Sequence, residues 1–408
     1  MTVQSPPTRR QFLARAGALG CSLAACPLMT PISLAATPGD HRLVVIILRG
    51  GMDGLDLVRP VGDPAFAGLR PTILGDKKGL PLDGFYELHP SAKGLHQLWT
   101  QGELSFAHAV STPYRDKRSH FDGQDILEAG VGKDGRISDG WLNRLVQTMP
   151  EAQLRTALAV GREDLLILNG TAQTTGWSPE ASLTLSPATQ VLLERMHKSD
   201  PLFSVSLHEA IDLAKRLDNS QDPDDTDDPQ QMMMQSVQAA NRRGGIEAIA
   251  KFTADMMQED TRIASFSITG WDTHVSQAGS FAGSVRKLQA AIMTLKSELG
   301  DLWGKTTVMA MTEFGRTVRQ NGSRGTDHGT GGAVVMAGGA LRGETVHGTW
   351  PGLDEADLYQ RRDLMPTADI RLYAASAMQG LFGLDKSELE QTIFPGLDIS
   401  DGLPSILL

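Results

Sequence analysis

Apolar, mostly β-branched residues run without interruption from Arg42 to Leu48 (RLVVIIL), the pattern of a strand buried on both faces, and the run opens into the glycine-rich turn Gly50-Gly51-Met52-Asp53-Gly54. Comparable runs at Leu104–Val110, Leu165–Leu168, Ile263–Thr269, Thr306–Thr312 and Ala333–Ala337 predict further central strands. Between them, apolar positions repeat at helical spacing over 90–101, 121–129, 139–149, 187–197, 201–218, 231–258, 276–299 and 367–382. Strands alternating with helices predict an α/β fold with a mainly parallel central sheet and helices on both faces. Residues 219–230 (NSQDPDDTDDPQ) contain no apolar side chain and are broken by proline, so they read as an acidic, solvated loop within one domain.

The N-terminus follows a different pattern. Thr8-Arg9-Arg10-Gln11-Phe12-Leu13 precedes an uncharged apolar stretch that leads to Ser33-Leu34-Ala35-Ala36, the order of regions in a twin-arginine signal peptide. Residues 1–35 are therefore expected to be removed on export to the periplasm through the twin-arginine translocase, leaving a single domain over 40–408. Both cysteines, Cys21 and Cys26, fall inside this segment, so a chain cut after Ala35 has no disulfide. Leu23-Ala24-Ala25-Cys26 also fits a lipobox, which makes Cys26 a candidate lipid anchor. No other apolar run is long enough to span a bilayer.

Removing the three arginines of residues 1–35 takes the net charge from −10 to −13. That balance disfavours nucleic acid as a partner, because phosphate backbones repel it. A small anionic substrate then needs local positive charge from arginine or from a metal.

In open α/β sheets ligands bind beyond the carboxyl ends of the strands. The residues there are rich in metal-ligand types: Asp53 and Asp56 after the first strand, Asp272 and His274 in Gly270-Trp271-Asp272-Thr273-His274, Glu313 and Arg316 after the strand at 306–312, and Asp327 and His328 before the strand at 333–337. Each has a plainer role: Asp53 capping a turn, Asp272 capping the next helix, Glu313 pairing with Arg316. Their joint placement beyond three separate strands points to a divalent metal, zinc or manganese, because carboxylates and imidazoles are the donors such ions take.

The strings LRGGMDGLDLV, RSHFDGQDILEAG, GWDTH, TEFGRTVRQNG and GTDHGTGGAVVMAGGALRGETVHG resemble the twin-arginine-exported family named for domain of unknown function 1501 (DUF1501), over residues from about 42 to the C-terminus. That family is grouped with the alkaline phosphatase and sulfatase superfamily. The resemblance implies an alkaline-phosphatase-like sheet and a metal-dependent hydrolase of phosphate or sulfate esters. In it Asp53 would bind one metal, Ser119 would be the nucleophile at the start of a helix, and Asp272 and His274 would bind the other metal. His328 would be the last histidine ligand, with Asp327 joining it or orienting its ring. Glu313 stands where an Asp-His pair is expected and Phe314 takes the place of the histidine, which speaks against two full metal sites. Arg118, Arg49 and Arg316 would clamp the anionic oxygens.

Three further readings are open. Ser111-Thr112-Pro113-Tyr114-Arg115 fits a short sulfatase-like pattern, although Asp116-Lys117-Arg118 follows it; His347 is an additional histidine beyond the last central strand. Gly50-Gly51-Met52-Asp53-Gly54 lacks the order of a dinucleotide or P-loop motif. Set against the hydrolase is a non-catalytic exported binding or assembly protein that keeps the fold and at most one metal.

Overall fold

The computed structural model describes residues 40–75, 77–115, 117–132, 135, 138–149, 152–161, 165–177 and 245–408. The expected signal segment with Cys26, the expected acidic loop at 219–230 and the predicted helices at 187–197 and 201–218 lie outside these residues. Asp40–Leu408 forms one compact unit, and no helix among the described residues is long and apolar enough to cross a membrane.

A nine-stranded sheet is built from β1 (Arg42–Arg49), β2 (Leu104–Ser111), β3 (Ala157–Val160), β4 (Thr175–Trp177), β5 (Ile263–Thr269), β6 (Thr306–Met311), β7 (Gly332–Ala337), β8 (Thr345–His347) and β9 (Ala368–Asp369). Its order is β8-β2-β7-β6-β1-β5-β3-β4, with β9 also pairing to β2. Every pairing is parallel except those of β7, which runs antiparallel to both β2 and β6. β1 therefore lies at the centre, in register with β5 (Val45 opposite Ser265) and with β6 (Val45 opposite Met309).

The sequence pattern of β1 is explained by what covers it. Val44, Ile46 and Leu48 point into one core with helices α1 (Lys93–Thr100), α4 (Ile246–Met257) and α5 (Gln277–Leu299). Leu43, Val45 and Ile47 point into a second core with α3 (Trp141–Gln147), α6 (Arg371–Phe382) and the C-terminal segment. Each of these six side chains is fully buried, contributing about 1.5–3 kcal/mol. The remaining long helix, α2 (His120–Ala129), starts at the carboxyl edge of the sheet and is N-capped by Ser119.

The expected strand at Leu165–Leu168 is instead a 3₁₀ turn over Leu166–Leu168. A short buried apolar run does not by itself distinguish a strand from another buried segment. Here the Ile167 N–H donates to Glu128 Oε2 at 3.1 Å and not to a neighbouring strand. Strands β3, β4, β8 and β9 are too short to leave a periodic signal. His347, at the end of β8, packs against Tyr373.

Two core histidines are built to stay neutral. His108 accepts from the Ala109 N–H through Nδ1 and faces the Val58 carbonyl through Nε2; His89 accepts from the Ser91 N–H. Burial pushes both down to about 4. Between that value and the ordinary 6.5 the unfolded chain takes up protons that the folded chain refuses, so stability present above pH 6.5 is lost as the pH falls toward 4, by up to about 3 kcal/mol per histidine. Urea midpoints measured from pH 7 to pH 4.5 should fall accordingly, and His108→Gln should make that decline shallower.

Candidate metal centre

All the loops that matter leave the sheet along one edge. Residues following β1, β2, β5 and β6 emerge at their carboxyl ends, and the antiparallel direction of β7 puts the residues preceding it at the same edge. Three histidines and one aspartate from three of these loops meet there: His120 after β2, Asp272 and His274 after β5, and His328 before β7.

Their nitrogens face inward. His274 Nε2 stands 2.9 Å from His328 Nε2. Asp272 Oδ1 is 3.0 Å from the first and 3.1 Å from the second. His120 Nε2 lies 3.5 Å from Asp272 Oδ2, and it is buried with no hydrogen-bond partner among the described residues. Donor atoms of His120, Asp272 and His328 all lie within 4.8 Å of one another.

Each imidazole is held in that orientation by its other nitrogen. His120 Nδ1 is 2.7 Å from Glu313 Oε1, His274 Nδ1 is 3.2 Å from Asp327 Oδ1, and His328 Nδ1 is 2.9 Å from the Arg118 carbonyl. These partners only accept, so each Nδ1 is assigned the proton and each Nε2 is the nitrogen that faces inward. Metal-binding histidines are characteristically oriented by such outer partners.

The donor set fits a divalent cation on three counts. Donors bonded at about 2.0–2.1 Å to one zinc stand roughly 3.3 Å apart, close to the 2.9–3.1 Å separations among Asp272 Oδ1, His274 Nε2 and His328 Nε2, with His120 Nε2 3.5 Å from the other carboxylate oxygen. Inward ring nitrogens beside a carboxylate call for positive charge, of which the Arg316 guanidinium, 3.4 Å from His274 Nε2 and 2.7 Å from Asp272 Oδ1, supplies one. Finally, among the described residues the carboxylates of Asp272, Glu313 and Asp327 meet the cluster's histidines while one guanidinium, that of Arg316, pairs with Asp272, leaving an excess of negative charge that a cation offsets.

The supporting groups come from the surrounding loops. Glu313 is buried; burial pushes its carboxyl up, but His120, the Gly50 N–H and Thr312 outweigh that and hold it below the usual range. Gly50, at φ +119, makes this possible, because a Cβ there would lie 2.5 Å from the Asp272 backbone nitrogen. The same hydrogen bond lifts His120 above its ordinary value, whereas burial lowers His328. Burial raises Asp272, and Arg316 with the neighbouring histidines more than offsets it. Arg316 is fully buried and donates to Asp272 Oδ1 at 2.7 Å and to the Trp271 carbonyl at 3.2 Å. Phe314 walls the cluster, its ring centre 5.0 Å from that of His120 and 4.9 Å from that of His328. Asp272 is exposed, so the centre opens to solvent.

The sequence-predicted residues separate into groups. Asp272, His274, His328 and Arg316 come together. Glu313 and Asp327 touch the cluster as orienting groups; Asp327 turns His274 and not its neighbour His328. Arg118 contributes its carbonyl, presented from a backbone at φ +56, while its guanidinium lies 3.9 Å from Asp363. Ser119 sits one residue from His120, its Oγ accepting from Asp122 N–H at 3.4 Å. Asp53 does not face the cluster as a free donor: Oδ1 accepts from the Leu55 and Asp56 N–H groups, and Oδ2 from Arg70 and Gln277. Arg49 pairs with Glu128 at 2.9 Å and donates to Gln124. Ser111 lies buried in β2, opposite Asp369.

His120 is a donor beyond the set the sequence pattern predicts. The signal was present, since it follows a buried strand at the same edge, but the adjacent serine drew the chemical assignment.

Fold and cluster together define a mainly parallel α/β protein carrying a histidine-carboxylate group at the carboxyl edge of its sheet. The model of the family described as a protein of unknown function, DUF1501, matches residues 40–393, and the chain belongs to that family. No curated protein matches it. Among solved structures, the lipoteichoic acid synthase LtaP from Listeria monocytogenes is 8% identical with a TM-score of 0.40, covering 87% of this chain and 74% of its own. A mutant TAB5 alkaline phosphatase with bound magnesium is 12% identical (TM-score 0.31, 73% and 90% covered). A protein in the alkaline phosphatase superfamily from Vibrio parahaemolyticus is 11% identical (TM-score 0.31, 84% and 67%). Likeness at this level carries no residue correspondence.

If the orienting groups act as placed, Glu313→Gln and Asp327→Asn should each weaken zinc binding by about 10–100-fold while leaving one site per chain. Competition titration against a chromophoric chelator measures this; unchanged affinity in both variants would remove them from the centre.

Proposed function

We propose that this protein is an exported hydrolase of phosphate or sulfate esters built around one divalent metal, zinc or manganese, with Ser119 as nucleophile. The observation that carries the proposal is the convergence of three oriented imidazoles and Asp272 within one residue of a serine at a helix N-terminus. Held by His120, Asp272, His274 and His328, the metal would supply Lewis acidity, lowering the pKa of an adjoining hydroxyl and offsetting charge on the transferring group.

The chain's own groups supply the rest. The Ser119 hydroxyl proton has no acceptor among the described residues, and its oxygen is held only by the long bond from the Asp122 N–H. As the cap of α2, Ser119 lies where the helix dipole and terminal N–H groups favour an anion. Ser119 Oγ would bond to phosphorus or sulfur as the ester oxygen departs with its organic group and takes up the serine proton, and water would then cleave the seryl ester, returning a proton to Oγ and releasing phosphate or sulfate. Arg316 keeps a fixed positive charge beside Asp272, and the half-exposed Arg118 side chain, 3.9 Å from Asp363, would turn from it to meet anionic oxygens of a bound ester. The twin-arginine signal suits this reading, because that route carries proteins that fold before crossing.

A specific observation favours a second reading. The candidate donors are all protein side chains, three imidazoles and one carboxylate, and four protein ligands with no open position are the mark of structural zinc. Asp53 is occupied by Arg70, and Phe314 stands in place of an imidazole, which supports one metal and not two. On this reading the protein is an exported metal-binding or assembly factor without turnover.

Metal analysis and a panel of phosphate and sulfate mono- and diesters separate them. The hydrolase reading expects one equivalent of metal and turnover that falls at least about 10³-fold in Ser119→Ala with metal retained. One equivalent of metal with no turnover across the panel would favour the second reading.

A further inference from the structure

Gln277, the first residue of α5, is fully buried, and all four hydrogen-bonding positions of its amide are used. Its Nε2 donates to Asp53 Oδ2 at 2.7 Å and to Asp56 Oδ2 at 3.0 Å. Its Oε1 accepts from the Thr273 hydroxyl at 2.9 Å and from the Thr326 hydroxyl at 2.7 Å. The carboxylates accept only, which fixes the amide's orientation.

Thr273 lies between Asp272 and His274, and Thr326 is two residues before His328. One carbonyl oxygen therefore ties together the two loops that bear three of the four donors. The loops also touch directly: the Thr326 N–H donates to the Thr273 carbonyl at 3.1 Å. A Cβ on Gly325 would lie 2.3 Å from the His274 carbonyl group, so only glycine permits this approach.

Behind Gln277 stand two buried ion pairs. Arg70 binds Asp53 at 2.6 Å and also donates to the carbonyls of Thr317 and Val318, which follow Arg316. Arg59 binds Asp56 at 2.8 Å.

We infer that Gln277 is a positioning residue of the metal centre: anchored on Asp53 and Asp56, it bridges Thr273 and Thr326 and so sets the spacing of Asp272 and His274 from His328. Asp53 then acts through Gln277, with the Arg70 guanidinium as its permanent cation. The inference rests on the metal reading. A donor set arranged before the ion arrives spares the ordering of two loops on binding, and that difference appears as affinity.

The test compares Gln277→Ala with Leu295→Ala, a fully buried position on the same helix, using the full folded domain. Zinc affinity should fall about 10–100-fold in Gln277→Ala, while Leu295→Ala, destabilised through its cavity, should stay within about twofold of the parent. In the metal-free protein, hydrogen exchange at the Thr326 amide should speed up roughly tenfold or more in Gln277→Ala. Thr326→Val, which removes one hydroxyl at nearly constant volume, should move both readouts the same way, keeping the test usable if Gln277→Ala fails to fold. Unchanged affinity in a folded Gln277→Ala, or an equal loss in Leu295→Ala, overturns the inference. A parent that binds no zinc overturns the metal reading, and Thr326 exchange then decides the clamp by itself.

Discussion

Three imidazoles whose outer nitrogens each meet an acceptor turn their remaining nitrogens toward Asp272, 3.0–3.5 Å from its oxygens, an arrangement that requires positive charge, of which the Arg316 guanidinium beside Asp272 and His274 supplies one. The loops at the carboxyl edge are organised around this requirement. Glu313 holds His120, Asp327 holds His274, and the strained backbone at Arg118 brings its carbonyl to His328. Each partner is fixed in turn: Glu313 by the Gly50 and Gly51 N–H groups, Asp327 by Asn321.

The sheet makes this convergence possible. With β1 buried on both faces by two separate cores and paired in register with β5 and β6, the starting points of the β1, β5 and β6 loops are set by hydrophobic burial together with the backbone hydrogen-bond ladders. One antiparallel strand, β7, brings an additional loop to the same edge without a crossover helix. A rigid apolar platform thus supports a polar site that gains little from packing itself.

Charge is distributed by the same economy. Carboxylates near the centre are either orienting groups or partners of a guanidinium: buried Asp53 with Arg70, buried Asp56 with Arg59, and exposed Asp272 with buried Arg316. A buried ion pair adds little net stability but penalises the loss of either partner. Such pairs specify geometry more than they stabilise it, and that is their use behind loops that must hold histidines in place.

The sequence by itself determined the α/β layout, the central strands at 42–49, 104–111, 263–269, 306–311 and 332–337, and the edge at which chemistry would gather, because burial on two faces leaves an unbroken apolar run and strand ends leave polar punctuation. Asp272, His274, His328 and Arg316 were legible for that reason. Which carboxylate orients and which pairs with arginine was not legible, since Asp53 and Asp272 look alike as residues following strands. Only the tertiary structure brought Arg70 onto Asp53, 17 positions away in sequence, and Glu313 onto His120, 193 positions away. Hydrophobic periodicity is a local property of the chain; the assignment of lone pairs and charges depends on distances that exist only after the sheet has closed.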